Sequence, residues 1–492
     1  MGPKNSTAPV HDRTKAGDSA SPAGRLWDSA SAYDSSVTSL ADFHKWFDQQ
    51  RTESHYAVER IPLSALSGWH SAPESGDLVH ESGGFFSVSG LRVRTDFGRL
   101  RQWTQPVIVQ PEIGLLGLLV KEFDGIPHFL MQAKMEPGNL NLVQLSPTVQ
   151  ATRSNFTGVH RGRGVSYLEY FIGPRRGTVL ADSLQSEQGW WFLHKGNRNM
   201  VVETAEEVPL RPGFRWLTLR QLGELLREDH LVNMDSRTVL ATLPLGPPGP
   251  RSAGGAGGDA LRHSLMRSHT PGEASLHSFQ EVLTLLTEAR SRYRLEQRQV
   301  PLREVLDEGR WQRTDSGIAR PDGRYFSVVG VDVHARRREV ARWSQPLIAP
   351  VAGLSGLLVK RVNGVLHVLL HTRVEAGTLR VCEFAPTVQC SPAPHGQDAS
   401  AHRSPFLEHL LSAPADRVRY DTELSEEGGR FLHAATRYLI VEAGDEVAVT
   451  EPPDHCWLTL RQVAALLRHG NYLNVQARTL VACANLALTA RN

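Results

Sequence analysis

Apolar residues along the chain fall into short patterns that predict the same elements twice. Ser39-Leu40-x-x-Phe43-x-x-Trp46-Phe47 spaces its large side chains for one face of a helix behind a serine cap, and Ser278-Phe279 through Leu286 repeats it. Leu115 to Val120 and His128 to Glu136 read as strands joined at Asp124-Gly125, and the second copy has Asn363-Gly364 at the same place. Such dipeptides favour two-residue hairpin turns because both central residues need positive φ. Thr218-Leu219-x-x-Leu222-x-x-Leu225-Leu226 places a capping hydroxyl before an apolar stripe and predicts a closing helix. Each unit is therefore expected to be α/β or α+β, a mixed sheet flanked by helices.

The recurrence is an internal duplication. Phe86-Ser-Val, Trp103-x-Gln105-Pro106, Gly117-Leu-Leu-Val-Lys121, Pro147-Thr-Val-Gln150 and Trp216-Leu-Thr-Leu-Arg-Gln221 return as Phe326-Ser-Val, Trp343-x-Gln345-Pro346, Gly356-Leu-Leu-Val-Lys360, Pro386-Thr-Val-Gln389 and Trp457-Leu-Thr-Leu-Arg-Gln462. The near-constant spacing of about 240 residues predicts two homologous repeats, at 36–243 and 275–492. Residues 244–274, rich in Pro, Gly and Ala, read as a flexible linker, and 1–35 read as a disordered tail.

Composition narrows the chemistry. A net charge of +2 with 22% charged residues carries no whole-chain bias toward nucleic acid or an anionic membrane. No apolar run approaches the roughly 18 to 20 residues of a membrane span, and the first residues lack the apolar core of a signal peptide, so a cytoplasmic protein is expected. The four cysteines, Cys382, Cys390, Cys456 and Cys483, show no zinc-type spacing, and no metal site is expected.

The strand after each hairpin turn is the most informative stretch. Phe129, Met131, Ala133 and Met135 alternate with His128, Gln132, Lys134 and Glu136; in the second copy Val368, Leu370, Thr372 and Val374 alternate with His367, His371, Arg373 and Glu375. The polar set faces either water or a site. Amides, hydroxyls and cations follow in the first copy: Asn139, Asn141, Gln144, Gln150, Thr152, Ser154, Asn155, His160 and Arg161, with Lys195, Arg198 and Asn199 further on. Neutral donors and acceptors of this kind suit a hydroxyl-rich ligand, and the arginines suit a diphosphate. Trp103, which starts a Trp-x-Gln-Pro turn as Trp343 does, is either a half-buried structural indole or a stacking platform.

The run Gln132-Ala-Lys-Met-Glu-Pro-Gly-Asn-Leu-Asn-Leu-Val-Gln-Leu-Ser-Pro-Thr-Val-Gln-Ala-Thr-Arg-Ser-Asn155, with Leu184-Gln-Ser-Glu-Gln-Gly189 and Asn197-Arg-Asn199, resembles the NDP-hexose 2,3-dehydratase family of antibiotic deoxysugar pathways. Ala385-Pro-Thr-Val-Gln389, Ser425-Glu-Glu-Gly-Gly429 and Asn474-Val-Gln-Ala-Arg478 resemble its C-terminal half. The resemblance implies a tandem duplication of a Nudix-like domain, a homodimer, and a dTDP-4-keto-6-deoxyhexose substrate from which the C2 hydroxyl is removed. It also implies a downstream 3-ketoreductase as functional partner and no cofactor. The chain departs from hydrolytic Nudix enzymes: Gly377 and Glu383 stand where their box would begin, but Ser391 replaces its arginine, no Glu-Glu pair follows, and Gln144 replaces even the first glutamate of the other copy. Without those carboxylates a magnesium cluster has no ligands. A non-catalytic nucleotide-sugar binding protein and a Nudix-type hydrolase are the alternative readings.

Elimination beside a ketone needs a base, an enolate stabiliser and an acid. Glu136 or His160 are the candidates for proton transfer, Lys134 for the enolate, and Glu187 an alternate base. Trp103, Gln105, Asn139, Asn141, Gln144, Gln150, Thr152, Ser154, Asn155, Arg161, Lys195, Arg198 and Asn199 are the candidate substrate ligands. Trp343, Arg373, Glu375, Gln389, Arg437 and Tyr438 form the corresponding accessory nucleotide-sugar site of the second repeat, and the chemistry is expected in the first.

Overall fold

The computed structural model describes residues 21–53, 56–98, 100–152, 164–174, 176–246, 260–335, 342–390 and 405–490. In the first half these form α1 (Pro22–Ser31), α2 (Leu40–Glu53), β1 (Tyr56–Ile61), β2 (Trp69–Ser71), β3 (Leu78–His80), β4 (Ser87–Thr95), β5 (Gln102–Val109), β6 (Gly114–Phe123), β7 (Ile126–Met135), β8 (Val143–Ser146) and β9 (Val149–Ala151). There follow β10 (Thr178–Ser186), β11 (Gly196–Glu203), β12 (Phe214–Leu217), α3 (Leu219–Leu225) and α4 (Met234–Leu240). The second half opens with α5 (Ala260–His269), α6 (Phe279–Arg292), β13 (Leu295–Val300), α7 (Leu302–Asp307), β14 (Gln312–Thr314), β15 (Gly317–Ala319), β16 (Phe326–Ala335) and β17 (Arg342–Pro350). It closes with β18 (Gly353–Val362), β19 (Val365–Arg373), β20 (Glu383–Pro386), β21 (Val388–Cys390), α8 (Leu407–Leu411), β22 (Val418–Ser425), β23 (Ala435–Glu442), β24 (His455–Thr459), α9 (Leu460–Leu467) and α10 (Val475–Leu486).

Each half builds one seven-stranded mixed sheet. The order is β10-β11-β6-β7-β12 with β8 and β9 added on β7 and β6, and β22-β23-β18-β19-β24 is its counterpart. Only the β11/β6 and β23/β18 pairs in these sheets are parallel. The hairpins form as the sequence predicts: Asp124 and Gly125 have φ of 50° and 77°, Asn363 and Gly364 of 51° and 76°. Thr218 with Gln221 and Thr459 with Gln462 form complete capping boxes at the closing helices.

Strand β7 does not turn its polar face to open water. Phe129 and Met131 enter one apolar cluster and Leu130 another, so both faces of the sheet are covered. His128 and Glu136 are buried, and Gln132 and Lys134 half-buried. Structural cover on both sides of the central strands explains why β6 reads as a continuous apolar run.

The segment boundaries need correction. Part of the expected tail is helix α1, which buries Leu26 and Trp27, while Ser29 Oγ donates to Pro127 O (2.6 Å) and accepts from Leu219 N (2.9 Å). Part of the expected linker is α5, its equivalent, with Ser268 Oγ donating to Leu366 O (2.6 Å) and accepting from Leu460 N (2.8 Å). A single serine thereby ties each helix to both the hairpin and the closing helix. Residues 1–20 and 247–259 lie outside the described residues.

The halves are also not self-contained. Strand β1 leaves the first half and pairs in register with β16, Tyr56 against Ala335 through Ile61 against Gly330; β13 returns the exchange by pairing with β4. Two mixed-origin sheets result, β1-β16-β15-β14 with β17 on β16, and β13-β4-β3-β2 with β5 on β4. Sequence spacing cannot reveal this, because an exchanged strand and a self-paired one have the same alternation. At the centre α4 packs on α10, and one apolar cluster runs through both halves.

We expect residues 21–246 expressed alone to be insoluble or unfolded, because β4 loses β13 and the shared core is opened. Co-expression with residues 260–490 should restore a soluble complex, measured by size-exclusion chromatography and circular dichroism.

Candidate active site

Two equivalent polar knots mark the two repeats. In the first, Gln150 Nε2 donates to Glu136 Oε1 (2.6 Å), and Asn233 Nδ2 donates to Gln150 Oε1 (3.0 Å) while Asn233 Oδ1 caps α4. In the second, Gln389 Nε2 donates to Glu375 Oε1 (2.9 Å) and Asn474 Nδ2 to Gln389 Oε1 (2.8 Å), with Asn474 capping α10. A glutamate, the strand that follows it and the buried helix are thus locked together in each copy.

Around Glu136 the knot is surrounded by ionisable groups. Buried Glu187 accepts from Asn197 Nδ2 (2.7 Å) and is pushed up chiefly by burial, against the pull of Arg478 and Lys195. Lys195 Nζ donates to Glu112 O, and burial lowers its pKa. Asp235, in the first turn of α4, is raised well above the usual carboxylate range by burial and by Glu427, Glu136 and Glu187. Glu427 is pushed up to about 8 by burial and Glu187, with Arg430 and Lys195 opposing. Lys134 Nζ donates to Gln150 O (3.0 Å), and Lys134, Gln150, Thr152, Glu427 and Arg430 are the half-buried members.

The second knot lacks this company. At the positions equivalent to Asp235, Lys195 and Glu427 the chain has Gln476, Ala434 and Gln188. Arg373, the counterpart of Lys134, forms an ion pair with Glu375 (Nε–Oε1 3.4 Å) and lies over the Trp190 ring (5.7 Å). The wider asymmetry extends to Glu383, which stands where the first copy has Gln144; it accepts from Ser186 Oγ (2.7 Å), and burial pushes it up to about 7.

Several sequence candidates sit elsewhere. Gln144 donates to Asn141 Oδ1 (3.0 Å) and Ser425 Oγ (2.8 Å), which ties the first half to the second, while Asn141 Nδ2 donates to His230 O (2.9 Å) within the first half. Asn139 Nδ2 donates to Leu142 O (3.3 Å), closing its own loop. Arg198 and Arg437 are corrected most clearly: each makes a bidentate pair, with Asp182 and Asp421 respectively, on an exposed sheet edge. Asn199 is buried and donates to Asn197 O (3.0 Å); Tyr438 is buried and donates to Glu426 Oε1 (2.9 Å). Trp103 Nε1 donates to Gln105 Oε1 (2.7 Å), and Gln105 to Trp190 O (2.7 Å), which places both beside the second knot. By the same exchange Gln345, next but one to Trp343, donates to Gly429 O (2.9 Å) at the first. Ser154, Asn155, His160 and Arg161 lie outside the described residues.

Among the described residues, His277, Glu451 and Cys456 bring ligand atoms within 4.8 Å of one another. Glu451 Oε1 already pairs with His277 Nε2 (2.6 Å) and accepts from Trp457 N (2.8 Å), and burial pushes the Cys456 thiol up to about 12. No helix among the described residues is long and apolar enough to cross a membrane.

Fold and site together define a duplicated mixed α/β protein in which one of two equivalent knots carries a crowded set of acids and bases. The sequence profile of the NDP-hexose 2,3-dehydratase family matches residues 40–243 and 279–484, and the chain belongs to that family. A dTDP-4-dehydro-6-deoxy-alpha-D-glucopyranose 2,3-dehydratase from Saccharopolyspora spinosa is 49% identical over 93% of this chain and 94% of its own. Proteins of the same name from Streptomyces violaceoruber (47%, 91% and 97%) and Amycolatopsis orientalis (45%, 94% and 94%) are similar. An ADP compounds hydrolase of known structure aligns with 31% of this chain and 78% of its own at 21% identity, with a TM-score of 0.21.

Glu383→Gln, which installs the amide of the other copy, should raise stability. The folded-state pKa of about 7 lies above the usual 4.5, so the native protein holds a proton that the unfolded chain releases between those values, and stability falls as pH rises through that window. The gain in melting temperature should therefore be a few degrees at pH 8 and small at pH 4.5, read by thermal denaturation; equal gains at both would refute the assignment.

Proposed function

We propose that the chain dehydrates dTDP-4-keto-6-deoxyglucose at C2 and C3, and that the knot around Glu136 is where it does so. The observation carrying the site is the break in symmetry: the scaffold recurs in both copies, while three positions that hold Asp235, Lys195 and Glu427 at the first knot hold Gln476, Ala434 and Gln188 at the second. The reaction is supported by the names of the three relatives.

The C4 ketone acidifies the C3 hydrogen, and Glu136, held in place by the hydrogen bond from Gln150 Nε2, takes it as a proton. The C3–H electron pair becomes the C3=C4 enolate, whose oxygen Lys134 stabilises. Collapse of the enolate restores the ketone, makes C2=C3 and expels the C2 oxygen, which a general acid protonates to water. Reprotonation at C2 of the resulting enol gives the dTDP-3,4-diketo-2,6-dideoxyhexose. The steps are proton transfers and the loss of water, neither of which moves electrons to or from a redox partner, so no redox cofactor enters the balance. Glu187, buried beside Lys195, is read as a supporting charge that poises the cluster rather than as the base.

Each repeat is further proposed to be Nudix-like, on the sequence resemblance alone, without the carboxylates of hydrolysis. A homodimer acting in the cytosol ahead of a 3-ketoreductase completes the reading, since a 3,4-diketone is reactive and is best consumed by reduction.

Incubation with dTDP-4-keto-6-deoxyglucose, a 3-ketoreductase and NADPH should give a 2-deoxy product. Glu136→Gln and Lys134→Met should each lower its rate by about 10²-fold or more, and the equivalent Glu375→Gln and Arg373→Met should cost about tenfold less at minimum. A larger loss at Glu375 or Arg373 would move the chemistry to the second knot. Dialysis against EDTA should leave turnover unchanged; a loss restored by zinc would give His277, Glu451 and Cys456 a role.

A further inference from the structure

The crowded knot is completed from the opposite end of the chain. Gly138 N donates to Gly428 O (2.8 Å) and His433 N to Gly138 O (2.7 Å), which clamps the loop between β22 and β23 onto the loop that follows Glu136. A Cβ built on Gly429 would lie 3.3 Å from Glu427 Oε1 and 3.5 Å from Glu136 Oε1. The absent side chain leaves a space bordered by both carboxyl groups. At the equivalent place near Glu375 the chain has Trp190, whose indole lies under Arg373, and Gln188, whose amide donates to Glu426 Oε2 (2.6 Å). There the same space is filled and the same carboxyl is an amide.

We propose that Glu427, supplied by the second half, is the catalytic acid that protonates the departing C2 oxygen at the site of Glu136. This rests on the dehydration proposed above and names its missing acid. Glu136 accepts the C3 proton; the C2–O bonding pair leaves with the oxygen; the Glu427 proton converts that oxygen to water, and Glu427 is left as carboxylate to be reprotonated from solvent, which its half-buried position allows. Of the charged groups facing it, Glu187, Glu136 and Asp235 favour the protonated acid while Lys195 and Arg430 oppose, and with burial the balance keeps it protonated to about pH 8. Two carboxyl groups bordering one space suit an elimination in which one group takes a proton and the other gives one.

The test is Glu427→Gln, the residue of the other copy, assayed with dTDP-4-keto-6-deoxyglucose in D₂O. Elimination, trapped as the 2-deoxy product, should fall by about 10²-fold or more, while deuterium entry at C3, followed by NMR, continues. The decline of wild-type kcat/KM above about pH 8 should vanish in the residual activity. Elimination near the wild-type rate, or loss of C3 exchange together with elimination, overturns the proposal. Wild-type protein showing neither reaction would instead remove the dehydration itself. Retained dTDP binding reports folding; if Glu427→Gln lacks it, Glu427→Asp must show slowed elimination with undiminished C3 exchange.

Discussion

The rest of the structure depends on two arginines that have no water to retreat to. Arg237 on α4 and Arg478 on α10 are both fully buried at the junction of the halves, and each reaches across. Arg237 donates to Val232 O (2.6 Å) in its own half and to Ser425 O (2.7 Å) in the other; Arg478 donates to Leu473 O (2.6 Å), to Ser186 O and to Thr238 Oγ1 (2.5 Å). A buried guanidinium is costly unless its donors are satisfied, and here the carbonyls that satisfy them belong to both halves. The strand ends they hold, Ser186 and Ser425, lead directly into the loops that carry Glu187 and Glu427. Packing at the junction and geometry at the site are therefore one problem.

Duplication lets the two jobs be shared out. Glu–Gln–Asn knots persist in both copies because they hold a strand to a helix, and that need is equal on each side. The charges of Asp235, Lys195 and Glu427 do not persist, since burying several ionisable groups together is expensive and only a site that uses them justifies it. Around the second knot the same positions hold Gln188, Trp190, Ala434 and Gln476, which pack or pair without titrating.

Much of the fold was legible because local rules suffice for it: turn dipeptides, capping boxes and the repeat itself all recur in the structure where the sequence places them. Glu136, Gln150 and Lys134 were legible because they alternate on one strand and its neighbour. Asp235, Glu427 and Arg430 were not, because α4 and the β22/β23 loop meet Glu136 only in the folded protein, the one through Asn233 and the other through the clamp of Gly138 on Gly428. One signal was available: the points where the copies disagree in charge, Gln188 against Glu427 and Asp235 against Gln476, are the points that matter. Arg198 and Arg437 illustrate the converse, since they match in both copies and each pairs with an aspartate across neighbouring strands. Asn139, Asn141 and Gln144 show that amides able to read a ligand can equally hold the protein's own backbone and side chains: the first two bond within their half, and Gln144 fastens one half to the other. The helices α1 and α5 were missed because their apolar stripes are short and lie beside Pro- and Gly-rich sequence.

The reciprocal pairing of β1 with β16 and β13 with β4 has the geometry of an isologous, strand-swapped pair of identical subunits, here threaded on a single backbone. In a pair of separate identical chains, every substitution appears on both sides of the axis at once, so neither site can be emptied or filled without the other. Joining the partners covalently lifts that symmetry constraint. Each position then mutates alone, and a glycine on one side can face a tryptophan on the other.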